Sequence, residues 1–125
     1  MMIKNEVTAD QGRGVAERIA TVVASWPGVE AAPHRFGGVE FRLGRRELGH
    51  LHGDRIADLP FPRRLRDELI GAGDARPHHV LPDSGWVTVP LDGPRSPDRV
   101  IELFHLSYER AVRAAGKLPQ SRSDV

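Results

Sequence analysis

The chain has no cysteine. Disulfides, zinc–thiolate sites and thiol nucleophiles are therefore excluded. No apolar run approaches the roughly 20 residues that a membrane span needs. Aromatic residues make up only 6%, and they do not interleave with a basic stripe as a nucleic-acid surface would require. Neither sign of charge is in excess: 18 basic against 17 acidic residues leave a formal charge of +1. Near-balance supplies no global attraction to nucleic acid or to an acidic membrane. Lysine is almost missing; apart from Lys4 and Lys117 the basic residues are arginine. Residues 1–10 carry Glu6 and Asp10 and no apolar core, so they do not read as a signal peptide. A cytoplasmic location is expected.

The 125 residues suit one domain with its own core. We expect a flexible N-terminus over residues 1–9, a single domain over 10–116 and a disordered polar tail over 117–125. The first helix should span Asp10 to Ser25, because Val15, Ile19, Val22, Val23 and Trp26 share one stripe. Val29 to Phe36 reads as a strand, and Pro33 places it at an edge. Val39, Phe41 and Leu43 alternate with Glu40 and Arg42, the pattern of a half-buried strand. Gly44-Arg45 fits a two-residue hairpin. A regular partner strand then sets Arg42 opposite Glu47 as an ion pair and Val39 opposite His50, with His50 and His52 on the apolar face.

A short strand at Arg55 to Leu59 and a helix from Pro62 to Gly71 follow. Asp74 to Ser84 reads as a loop, Gly85 to Leu91 as a strand, and Ser96-Pro97-Asp98 opens a helix running to about Ala115. The expected fold class is a two-layer α+β domain. It has an antiparallel sheet of four to five strands with helices on one face, in the order α-β-β-β-(β)-α-β-α.

The chemistry sits in histidines. His50 and His52 lie two residues apart on one strand, so both rings enter the same volume. His78 and His79 form a second pair just before another strand. Their convergence would make a site. His50, His52 and His78 are the candidate metal ligands, so the cofactor is either absent or a single divalent metal. Glu47 joins His50 only if Gly49 introduces a bulge. Without a metal, His50 or His52 would act as general base, kept neutral by burial and oriented by Asp54 or Asp58. Arg35 would hold an anion, His78, His79 and Asp54 would contact the substrate, and Trp86 would wall the pocket. No phosphate loop follows a strand, so no nucleotide cofactor is expected. Ser84 lacks the pattern of a nucleophile elbow. Arg63, Arg64 and Arg66 read as a solvated face beside Asp67 and Glu68. A small-molecule ligand is the expected partner, neither membrane nor nucleic acid is, and no oligomeric state follows.

Pro33 to Arg110 resembles the luciferase-domain family, named for the fungal luciferases. The residues that carry the likeness are Pro33-His34-Arg35-Phe36-Gly37-Gly38-Val39-Glu40-Phe41, Glu47-Leu48-Gly49-His50-Leu51-His52-Gly53 and Ala57-Asp58-Leu59-Pro60-Phe61. Pro77-His78-His79-Val80-Leu81-Pro82-Asp83-Ser84-Gly85-Trp86-Val87 and Leu106-Ser107-Tyr108-Glu109-Arg110-Ala111 complete it. The resemblance implies a pocket for a planar, enolisable phenolic or pyrone-like molecule that reacts with oxygen, with Glu47, His50 and His52 at the site. The second half also resembles the YjbR-like family through Pro77-His78-His79, Trp86-Val87-Thr88-Val89 and Ser107-Tyr108. That likeness implies the alternative of a non-catalytic module contacting protein or nucleic acid.

Overall fold

In a computed structural model of the chain, residues 14–34 and 37–123 are described, with side chains to residue 116. Helix α1 covers Val15–Ala24. Strands β1 (Val29–Pro33), β2 (Val39–Leu43), β3 (Arg46–His52) and β4 (Ile56–Pro60) follow. Helix α2 (Arg63–Gly71), the short strand β5 (Arg76–Pro77), strand β6 (Trp86–Pro90) and helix α3 (Asp98–Ser123) complete the order. The strands pair antiparallel in one sheet, β1-β2-β3-β4-β6-β5. The α+β class is as expected. The sheet has six strands rather than four or five, because Arg76 and Pro77 pair with Thr88 and Val87. Two residues are too few to show an alternating pattern. Strand β1 lies at an edge, where Pro33 is tolerated. Asp10 and its neighbours lie outside the described residues. Among the described residues no helix is long and apolar enough to cross a membrane.

One core lies between the sheet and helices α1 and α3. Ile19 and Val23 come from α1, and Leu103, Phe104 and Ala111 from α3. They meet Phe41, Leu48, Leu51, Leu59 and Val87 of the sheet. Full burial of each such side chain contributes about 1.5–3 kcal/mol. Phe104 stands edge-on to Phe41, with ring centres 5.5 Å apart. Helix α2 packs against β5 and β6 and adds Leu69.

The β2–β3 hairpin turns where expected, with Leu43 opposite Arg46 and Gly44 at φ 64°. Its register then departs from the regular pairing. Arg42 lies opposite Glu47, but Phe41 lies opposite Gly49, so Leu48 is an inserted bulge residue. Every later side chain of β3 therefore changes face. His50 faces Glu40 instead of Val39, and Leu51 takes the place beside Val39. His50 and His52 are thus turned away from the apolar face on which a regular strand would put them. Arg42 pairs with Glu40 at 2.8 Å, since Glu47 is taken up by His50.

Two features hold the bulge. Gly49 adopts φ 148°, and a Cβ there would stand 2.8 Å from both the Asp58 carbonyl oxygen and the Phe104 ring. Only glycine lets β3 take this path beneath α3. The Ser107 hydroxyl donates to the Leu48 carbonyl at 2.8 Å, a buried bond at the bulge.

Gly49→Ala should therefore destabilise the protein by about 2–4 kcal/mol in denaturant unfolding, combining strain with overpacking. A second prediction concerns Asp74, which joins Arg99 at 2.8 Å and Arg95 at 3.0 Å. The Arg99 hydrogen bond, opposed by burial, holds its carboxyl below the ordinary value. Such a carboxyl stabilises the fold above its unfolded pKa and loses that contribution as pH falls through the folded value. Asp74→Asn should lower the melting temperature at pH 7, and the difference from the parent should close below about pH 4.

Candidate functional site

The bulge builds a polar row on the sheet face opposite α1 and α3. Glu40 pairs with His50, His50 with Asp58, Asp58 with Thr88, and Thr88 with Arg76. Paired residues share a face, so the row crosses five strands. Asp58 sits at its centre with no exposed surface.

Two loops close over the row. The β5–β6 connection brings His78 and His79. The His78 Nδ1 accepts the backbone N–H groups of Val80 (3.1 Å) and Leu81 (2.9 Å). Helix α2 clamps the same loop: Arg63 donates to the Asp83 carbonyl and Arg66 to the Pro82 carbonyl. On the other side His34 leaves β1, where its N–H donates to the Gly38 carbonyl at 3.0 Å. A Cβ on Gly38 would lie 1.9 Å from the Leu51 carbonyl oxygen, so this turn needs glycine to approach β3. The His34 ring stacks on His50 with centres 4.0 Å apart.

The imidazoles converge on one atom. The Nε2 atoms of His52 and His79 each lie 3.0 Å from Asp58 Oδ2, with His50 Nε2 at 3.2 Å and His78 Nε2 at 3.5 Å. A carboxylate oxygen has two lone pairs, too few for four rings. Asp58 Oδ1 accepts the Thr88 hydroxyl at 2.7 Å. His50 has carboxylates at both ends, since its Nδ1 lies 2.6 Å from Glu47 Oε2. Burial lowers its pKa, but hydrogen bonds to Asp58 and Glu47 and their charges outweigh burial and raise it to about 9. Burial alone therefore does not keep this ring neutral, contrary to the expectation from the sequence: the two acids beside it favour its protonated form. Burial raises the Asp58 pKa, but hydrogen bonds from His50, Thr88 and His79 outweigh it and hold the carboxyl well below the ordinary range. Burial lowers the pKa of His34 and of His78.

Among the described residues three groups of ligand atoms, each within 4.8 Å of one another, could hold a metal: His34, Glu47 and His50; His50, His52 and Asp58; Asp58, His78 and His79. Beside them opens a cavity of about 460 Å³, walled by Trp86, Val80 and Leu81. Another hollow of about 260 Å³ lies near Asp74, Arg95 and Arg99, whose charges pair with one another.

His50, His52, His78, His79 and Trp86 all border the larger cavity. Asp54 does not. Its carboxylate accepts the Ala16 N–H at 3.0 Å and caps the start of α1. Arg35 lies outside the described residues. Sequence reasoning offered Asp58 only as an alternative to Asp54 and did not single out Thr88 or His34. An aspartate between Ala57 and Leu59, in a strand otherwise read as apolar, was the available signal.

Replacing Thr88 by Val leaves the Asp58 Oδ1 without its partner in a buried place. Thr88→Val should lower stability by about 1–3 kcal/mol, measured by urea unfolding.

Comparison with known proteins bears on the same residues. No curated protein matches the chain. The family model described as Luciferase domain matches residues 45–107, just over half of the chain. That span holds His50, His52, Asp58, His78, His79 and Trp86. The chain belongs to the luciferase-domain family.

Proposed function

We propose that this domain binds a planar, enolisable phenolic or pyrone-like molecule in the histidine-lined cavity and promotes its oxygen-dependent oxidation. The supporting observation is the chemistry of the walls. Five imidazoles gather near a buried carboxylate, and Trp86, Val80 and Leu81 line the same cavity beside them. The indole face and aliphatic chains suit a flat ring, while the imidazoles suit its acidic hydroxyl. A volume of about 460 Å³ falls among those of small-molecule sites. Membership of the luciferase-domain family supports a small-molecule-binding fold.

In this reading His50 and His52 hold the centre and His79 is the proton acceptor. His50 is engaged by Glu47 at Nδ1 and faces Asp58 at Nε2, so neither nitrogen is open to a substrate hydroxyl. His79 is the most exposed ring of the four around Asp58, at 44%. Its Nε2–H donates to Asp58 Oδ2, which leaves the lone pair on Nδ1 for the substrate hydroxyl. The resulting enolate gives two electrons to dioxygen, one at a time. A carbon–oxygen bond forms, the carbon is oxidised, and dioxygen is reduced to a carbon-bound peroxide anion. A single divalent metal is the cofactor that the donors suit. The alternative of a non-catalytic module contacting protein or nucleic acid draws less support, because Arg63 and Arg66 are engaged with loop carbonyls.

Fluorescence provides the test. With Trp26→Phe as background, Trp86 is the remaining indole. Titration with hydroxylated pyrones and phenols should quench it saturably, and Trp86→Leu should weaken binding, followed by calorimetry, about tenfold. His79→Ala should keep binding and lose oxygen uptake. Absence of saturable binding across the panel would sink this reading.

A further inference from the structure

We infer that His50, His52 and Asp58 form a mononuclear iron(II) site, a two-histidine, one-carboxylate face turned to the cavity. The inference rests on reading that cavity as the reaction site. Three candidate donor groups exist there, and hydrogen bonding separates them.

The first group needs Glu47 as a ligand. Its Oε2 instead lies 2.6 Å from His50 Nδ1, the distance of a short charge-assisted hydrogen bond. A ring that gives its Nδ1 proton to a carboxylate keeps its lone pair on Nε2. That bond therefore orients His50 as a ligand and removes Glu47 from the ligand set.

The third group needs His78. Its Nδ1 accepts two backbone N–H groups, from Val80 and Leu81. A neutral imidazole with an accepting Nδ1 carries its proton on Nε2. The nitrogen that faces Asp58 is thus a donor and has no lone pair for a metal. His78 belongs beside the centre and not on it, although the sequence pattern offered it as a ligand.

The second group passes both tests. Metal–ligand bonds of about 2.1 Å at right angles set neighbouring donors about 3.0 Å apart. His52 Nε2 and His50 Nε2 lie 3.0 and 3.2 Å from Asp58 Oδ2. The supports that a ligating carboxylate requires are also present. Thr88 donates to Oδ1 at 2.7 Å, and His79 reaches the same Oδ2 at 3.0 Å. Two imidazoles and one carboxylate on adjacent strands leave coordination positions for substrate and dioxygen, the pattern suited to non-haem iron(II) oxygen chemistry. Such an ion would serve the proposed reaction. Dioxygen is a triplet and an enolate a singlet, so their direct combination is spin-forbidden, a restriction that iron(II) held by these residues would lift.

The test is anaerobic titration of the full chain with iron(II), followed by nitric oxide and electron paramagnetic resonance. One ion per chain and the half-integer-spin signal of an iron–nitrosyl are expected. His52→Ala, chosen over Asp58 variants because its ring is partly exposed, should weaken iron(II) binding by about 100-fold or more. Its near-ultraviolet circular dichroism should stay native. His78→Gln should bind iron(II) within about threefold of the parent, and Glu47→Gln should bind it about 10–100-fold more weakly. Failure of the parent to bind stoichiometric iron(II), or loss of the ion in His78→Gln to the extent seen in His52→Ala, overturns the assignment. Pyrone or phenol binding by a chain that takes up no iron sinks the metal site and leaves the cavity reading standing. Iron uptake by a chain that binds none of those compounds does the reverse.

Discussion

One inserted residue in β3 governs the molecule. At Leu48 the strand gains a residue that β2 does not match, and the side chains beyond it exchange faces. Leu51 enters the core while His50 and His52 leave it. Without the bulge two imidazoles would be pressed against Phe104 and its neighbours, and Leu51 would face the cavity. The bulge persists because neighbouring groups accommodate it. Gly49 adopts the required φ and leaves room for Phe104, and Ser107 satisfies the Leu48 carbonyl. The core and the site are therefore consequences of the same local distortion.

Electrostatics sets the second constraint. A fully buried carboxylate is costly unless it is paired and hydrogen-bonded. Asp58 meets this with Thr88 on one oxygen and a crowd of imidazoles on the other. Four ring nitrogens within 3.5 Å of one oxygen exceed what a carboxylate can accept as hydrogen bonds. Such an arrangement favours a cation at that point, whether a proton on His50 or a metal between the donors. The two backbone bonds to His78 Nδ1 and the Glu47 bond to His50 then fix how these two rings stand around it.

The rigid sheet carries the centre, and loops adjust what surrounds it. His79 and the apolar wall of Val80 and Leu81 lie on the β5–β6 connection, which α2 fastens through Arg63 and Arg66. These arginines read from the sequence as a solvated face. Their role in holding the loop depends on backbone carbonyls, which no side-chain pattern encodes. Asp54 illustrates the converse. Its closeness to His52 in the chain suggested a partner for the imidazoles, yet the turn after β3 directs it to the N-terminus of α1.

Periodicity in the residues determined where the helices lie, most strands, the hairpin at Gly44-Arg45 and the α+β class, because these follow from local spacing and turn chemistry; that α3 runs on to Ser123 instead of ending near Ala115 did not follow from it. The same residues identified the histidine pairs and Trp86 as neighbours of one cavity. Which face the imidazoles take, the place of Asp58 as their common partner and the backbone bonds that hold the His78 ring were decided by tertiary structure. A strand pattern is unchanged in composition by a bulge, yet its faces invert beyond it. Whether a bulge forms depends on α3 and β4 approaching Gly49, residues distant in the chain, and on a hydroxyl 59 positions away that satisfies the displaced carbonyl.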